Sequence, residues 1–370
     1  MNVSNRRAIG VCRLLAGTLL ATVLAGCNGS STGYTPAGPN SAARSTPNAV
    51  VHAWSRSMMH VPLPSVGCFT ASYPVTKWSR ATCSPMSRRT LNPAYIGNGR
   101  DYAIVVPVTM SSALGSFPAV SGVTRVRSCN LNKAGTRCTS YTGQNVYSIQ
   151  LNSNTFKTAA CNAQPHCRGW SQFVYTNQPN AYHGGGNLII QNWLLEENSG
   201  TLTCPSSWSS DSSSGGCLVN APKSFKVPNV PISELSSVTL SGSASSSGDS
   251  VFLAVGTSVY GMKNAQSDSL TDLSQHWTQA EFNIVGNGGG DRAVFNTGST
   301  ITVSVEAQTG QTTAPICRAN AGSTGEENNL SFVAPPQNPQ QQTNPSIVFT
   351  ESNAGNGGTA SCQALAGTGT

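Results

Sequence analysis

No stretch of this chain sustains the 3.6-residue period of a long amphipathic helix, whereas short apolar or alternating runs recur along it, separated by Gly, Asn, Ser and Pro. Strand signals fall at 103–108, 123–127, 145–151, 171–176, 187–195, 224–227, 237–240, 250–255, 275–285, 292–295, 300–305 and 346–350. A strand buries alternate side chains on one face and must cover that face with another layer, so many short strands between turn signals stack as sheets. The expectation is an all-β chain, an antiparallel β-sandwich or jelly roll, with helix confined to 49–59 and 269–273 and an irregular loop over 311–344 before the last strand.

The front of the chain reads differently. Arg6, Arg7 and Arg13 border an apolar run, Leu14 to Leu24, that ends in Leu-Ala-Gly-Cys at Cys27. A basic start, a short apolar centre and small residues before a cut make an export signal. The ending resembles the bacterial lipobox, which implies cleavage before Cys27 and acylation of that residue. Residues 1–26 are then a lipoprotein signal peptide and 27–48, rich in Ser, Pro and Gly, a flexible tether. A single domain follows over 49–370, beginning with an N-terminal arm at 49–93. The expected place is the cell envelope, on the periplasmic or cell-surface side, with the membrane reached through the lipid on Cys27.

Ten further cysteines stand at Cys68, Cys83, Cys129, Cys138, Cys161, Cys167, Cys204, Cys217, Cys317 and Cys362. An even number behind an export signal reads as disulfides. Each sequential couple brackets a loop-like segment, so the expected pairs are 68 with 83, 129 with 138, 161 with 167, 204 with 217 and 317 with 362. Neither CxxC nor HxxxH occurs, which argues against a metal site. No cofactor motif occurs either: GNGGGD at 286–291 follows a strand signal but opens no helix. Removing residues 1–26 takes away three of the 21 basic residues and no acids, leaving 18 against 14, a net +4. That balance, with no run of like charges, excludes a nucleic-acid groove.

Within 275–305, Gln279, Glu281 and Asn283 alternate with Ala280, Phe282 and Ile284, which predicts a strand with Glu281 on its wet face. A Gly-rich turn and two more strand signals complete an expected β-meander. Three other strand signals carry glutamines among apolar and aromatic residues: Gln150 after Tyr147, Gln172 between Trp170 and Phe173, and Gln191 before Trp193. With Trp277 these could line one concave face. A carboxylate and an amide facing each other across a groove suit amide hydrolysis, the carboxylate taking a proton from water and the amide donating to the developing oxyanion. Carboxylate pairing for glycoside cleavage would join Glu281 to Glu196, Glu197, Glu306 or Glu351. A non-catalytic face would instead bind a glycan by stacking on Trp170, Tyr175, Trp193 and Trp277.

The order of a Gln strand, a Trp strand and then Ala-Glu-aromatic before a Gly-rich turn resembles the eqolisins, glutamic peptidases built on a concanavalin-like β-sandwich. The resemblance spans roughly 145–305 and implies Gln172 in WSQFVY as the catalytic glutamine, Glu281 in QAEFNIVG as the catalytic glutamate and Trp193 in IQNWLLEE on the strand between, with Gln150 the alternative oxyanion donor. It implies endopeptidase activity at acid pH on a peptide ligand. The chain is also similar to a group of bacterial secreted proteins sharing the GCF, WSQFVY, IQNWL, AEFNIVGNGGG and TGEENNL segments, a likeness that implies architecture and no activity. A structural lipoprotein of the cell surface is the remaining expectation.

Overall fold

The computed structural model describes residues 47–86, 101–132, 136–178, 185–198, 200–211, 214–264, 270–287, 291–355 and 358–369. The lipobox with Cys27 and the expected tether as far as residue 46 lie outside them. Strand takes 49% of the described residues and helix 9%. Two large sheets carry it. One runs in the order Ser209–Asp211, Gly216–Asn220, Gly185–Glu196, Cys167–Gln178, Tyr147–Ser153, Gln279–Val285, Ala103–Val105 and Ile316–Arg318, with Lys223–Val227 also on Gly185–Glu196. The other runs Ser79–Ala81, Gly67–Ser72, Ser258–Asn264, Asp249–Val255, Val238–Ser243, Ser112–Ser121, Thr300–Gln308, Ser346–Ser352 and Ser331–Val333, with Cys362–Leu365 also on Ser346–Ser352. Pairing within both is antiparallel, and five disulfides join the sequential cysteine couples as expected.

The sheets meet through rings seated over glycines. Phe282 lies on Gly115, where a Cβ would fall inside the ring, and packs against Phe117 with centroids 5.0 Å apart. Phe173 lies in the same way on Gly242 and stacks on Trp277 at 5.4 Å. Glycine in a strand costs propensity, but here it is what lets a ring from the facing sheet reach the backbone. Gly115→Val should therefore destabilise the fold by about 3 kcal/mol or fail to fold, since four ring-packed strands must part. Urea unfolding checks this, and a loss below about 1 kcal/mol would contradict the packing.

The helix Pro47–His60 covers the outer face of the second sheet, burying Trp54, Met58 and Met59 against Leu114 and Phe252. It takes up the first part of the segment expected as an N-terminal arm over 49–93, of which residues 87–93 lie outside the described ones. The strands at 112–121, 216–220 and 258–264 were not legible in the sequence. In Ser112–Ser121, Gly115 and Pro118 break the apolar alternation, because that strand is shaped to receive Phe282.

Three expectations need correction. The stretch 275–305 is not a meander. Leu273–His276 is a helical turn, Gln279–Val285 belongs to the first sheet, Arg292–Phe295 pairs with Val126–Leu131 in a small third sheet, and Thr300–Gln308 lies in the second sheet. Gly286 permits the sharp exit, since any Cβ there would collide with the backbone of Asp291. The tract 311–344 is not plain loop: it contributes the strands Ile316–Arg318, Glu327–Asn328 and Ser331–Val333, and Cys362–Leu365 follows Ser346–Ser352 as a later strand. The third correction concerns the face expected to be wet. Glu281 and Asn283 are buried, at 1% and 3% exposure, because residues 319–326 cross over them.

Candidate functional site

Register, not sequence proximity, assembles the site. On the face of the first sheet turned away from the sandwich core, Asn220 pairs with Gln191, Gln191 with Gln172, Gln172 with Asn152 and Asn152 with Glu281. Five polar side chains from five adjacent strands thus form one row across the sheet. Side chains two residues apart share a face, so Gln150, Trp170, Trp193 and Asn283 stand beside the row.

Hydrogen bonds run along it. The Trp193 indole N–H donates to Gln172 Oε1 at 3.1 Å, which fixes the amide so that its Nε2 points toward the glutamate strand. Gln172 Nε2 donates to Asn152 Oδ1 and to Gln150 Oε1, both at 3.0 Å. Asn152 Nδ2 donates to Glu281 Oε2 at 3.3 Å. At the far end Gln191 Nε2 donates to Asn220 Oδ1 at 2.8 Å. Buried amides need partners, and a row of them satisfies itself only when every orientation agrees.

The strap 319–326 closes the face. Ser323 donates both its backbone N–H, at 2.6 Å, and its hydroxyl, at 2.7 Å, to Glu281 Oε2. Gln150 Nε2 donates to the Glu326 carboxylate, and Gln279 Nε2 to the Ala321 carbonyl at 3.1 Å. One end of the strap is held by the pairing of Ile316–Arg318 with Ala103–Val105 and by the Cys317–Cys362 disulfide. The other end is held by the parallel pairing of Glu327–Asn328 with Arg292–Ala293 and by the Arg292–Glu327 ion pair.

Glu281 Oε1 receives no N–H or O–H from the amides and hydroxyls around it. The Asp101 carboxyl belongs to the same buried cluster, and its pKa is pushed well above the usual carboxylate range by burial, then by the charges of Glu281 and Glu351. Asn283 Nδ2 steadies Asp101 at 2.8 Å. Glu351, buried on a strand of the second sheet flanked by Thr300–Gln308 and Ser331–Val333, is raised to about 7 by burial, partly offset by hydrogen bonds from Asn328 and Asn283. A cavity of about 310 Å³ lined by Asp101, Asn320, Glu327, Asn328, Phe332 and Glu351 opens onto this carboxyl cluster.

Glu281, Gln172, Gln150, Gln191, Trp170 and Trp193 therefore share one face, as expected. Trp277 does not: it lies in the inter-sheet core against Phe173, because it precedes the strand and turns inward. Tyr175 is likewise on the core side, its hydroxyl bonded to Asn177 and the Pro228 carbonyl. Trp170 and Trp193 pack on each other at 6.3 Å with Leu195 and Leu218, at 0% exposure, so no ring of the four offers a surface for a sugar. Of the carboxylates considered as partners of Glu281, Glu306 pairs with Arg56, Glu197 with Arg168, and Glu196 caps the Asn198 N–H. Only Glu351 reaches the cluster, through Asp101 and Asn283.

Sequence reasoning missed Asn152, Asp101, Ser323 and Glu326. Asn152 was within reach, since it alternates with Gln150 in SIQLNS; Ser323 lies in AGSTGE, which carries no period. Among the described residues no group of three His, Cys, Asp or Glu side chains is placed to hold a metal ion. No family model matches the chain, and no curated protein matches it.

Proposed function

We propose that this chain is an exported, lipid-anchored endopeptidase of the glutamic type, related in mechanism to the eqolisins, and that the described state is its closed form. The observation that carries the reading is the hydrogen-bonded row Glu281, Asn152, Gln172 on one sheet face, with Trp193 orienting the glutamine. Glu281 acts as base toward water and then as acid toward the leaving nitrogen, and Gln172 donates to the oxyanion. Both Gln172 N–H groups are engaged in the closed state, one of them by Gln150, which the strap holds through Glu326. Withdrawal of the strap releases Gln150, and with it one N–H of Gln172. The strap thus governs both halves of the dyad.

Digestion of a denatured protein between about pH 2 and about pH 7 tests the reading, with cleavage expected at the acid end. Gln172→Ala should lower kcat by about 10²–10³-fold, the loss expected for one oxyanion donor. An unchanged kcat would remove Gln172 from the mechanism. Export is tested separately: in a bacterial host the full chain should incorporate radiolabelled palmitate, and Cys27→Ala should abolish the label. Label retained in that variant would refute acylation at Cys27.

A further inference from the structure

We propose that the Gly322–Ser323 bond in the strap is a self-processing site, cut by the chain's own Glu281. The inference rests on the reading of Glu281 as an acid–base group, and it gives the closed site a way to open.

The geometry behind it is a single carboxylate oxygen in contact with two atoms of one residue. Glu281 Oε2 lies 2.7 Å from Ser323 Oγ and 2.6 Å from Ser323 N. Those are the two atoms between which a proton must pass for a serine to move its acyl group from nitrogen to oxygen. Glu281 takes the proton from Oγ, and Oγ bonds to the carbonyl carbon of Gly322. Glu281 then returns the proton to Ser323 N as the carbon–nitrogen bond breaks. The chain is now joined through an ester, with a free amine on Ser323. One water hydrolyses the ester, leaving a carboxylate on Gly322 and restoring the Ser323 hydroxyl. No oxidant, reductant or cofactor enters the balance.

The surroundings suit the step. Ser323 and Thr324 are buried, so the reacting atoms are shielded from bulk water until the ester forms. Gly322 places no side chain beside the carbonyl that Oγ attacks. The cut falls between two anchors, the Cys317–Cys362 disulfide and the pairing of Glu327–Asn328 with Arg292–Ala293, so both new ends stay attached to the domain. Freed of continuity, the strap no longer has to hold Ser323 on Glu281 or Glu326 on Gln150.

The full chain, purified and incubated from about pH 3 to about pH 7, decides the matter by intact mass and by electrophoresis with and without reductant. The expected product gains the mass of one water, runs as one species unreduced and as two on reduction, and has a new amino terminus at Ser323. Hydroxylamine should trap the ester as a hydroxamate on Gly322. Ser323→Ala and Glu281→Gln should stay whole, whereas Ser323→Thr, which keeps the hydroxyl, should be cut. A wild-type chain that remains single on reduction across the whole range overturns the proposal. So does cutting of Ser323→Ala at the same bond and rate, or identical behaviour of the Thr and Ala variants. Proteolysis of an added protein by a chain whose strap is intact sinks this inference and leaves the peptidase reading standing; a cut strap without such proteolysis does the reverse.

Discussion

Glu281→Gln is expected to reduce cleavage of an acid-denatured protein by about 10²–10⁴-fold while the chain keeps its fold. The size of the loss follows from removing the only group on the row that can exchange a proton with water and with the leaving nitrogen. Retention of the fold follows from the contacts. A glutamine carbonyl at 281 still accepts from Ser323 N, Ser323 Oγ and Asn152 Nδ2, the three donors that converge on Glu281 Oε2. The amide also removes one of the charges that raise the buried Asp101 carboxyl, so the cluster is not made less stable by the change. Thermal unfolding alongside the assay separates lost chemistry from lost structure. Undiminished cleavage by the folded variant would dismiss Glu281 as the base, and the carboxyl cluster of Asp101 and Glu351 would become the next target.

The layers of this fold were legible in the sequence because most of its long strands declare themselves locally, by alternation or by a run of β-branched and aromatic residues between turns, although 112–121, 216–220 and 258–264 do not. Four of the five disulfides were legible for a related reason, since each closes a segment of 15 residues or fewer between neighbouring cysteines; the fifth, Cys317–Cys362, spans 45 residues and several strands and followed only from being the remaining couple. Which strand lies beside which was not legible. The run 275–305 places three successive strands in three sheets, and nothing local distinguishes Gly286, which permits the sharp exit, from the glycines of an ordinary hairpin turn. The candidate site was half legible. Gln172, Gln150, Gln191 and Glu281 stood out as polar residues at alternating positions, and register then brought them into one row. Ser323 and Asp101 carried no such mark. Their part in the site depends on a strap arriving from far along the chain and on the burial it causes, so the face read as wet was in fact closed.

That burial has a consequence for pH that can be measured without any substrate. Glu351 rises from an ordinary value of 4.5 to about 7 in the folded protein, chiefly through desolvation. A carboxyl raised in this way binds its proton more tightly folded than unfolded, so its contribution to stability is present below about pH 4.5 and is lost as pH rises to about 7. A shift of this size corresponds to on the order of 3 kcal/mol. Asp101 is displaced in the same direction by burial and by its two carboxylate neighbours, and Asp291, raised to about 6 by desolvation, adds a smaller contribution because it is less enclosed. The fold should therefore unfold at a lower denaturant concentration at pH 7 than at pH 4.5, opposite to a protein whose carboxylates are mostly salt-bridged. Glu351→Gln keeps an acceptor for Asn328 and removes the titration, so it should flatten this slope and gain stability at neutral pH relative to the parent. Stability that climbs from pH 4.5 to pH 7, or a slope unchanged in the variant, would mean that the carboxyl cluster is hydrated in solution. The same preference for protonated carboxyls bears on the proposed chemistry, since an enzyme working at acid pH would meet its substrate under the conditions in which this cluster burdens the fold least.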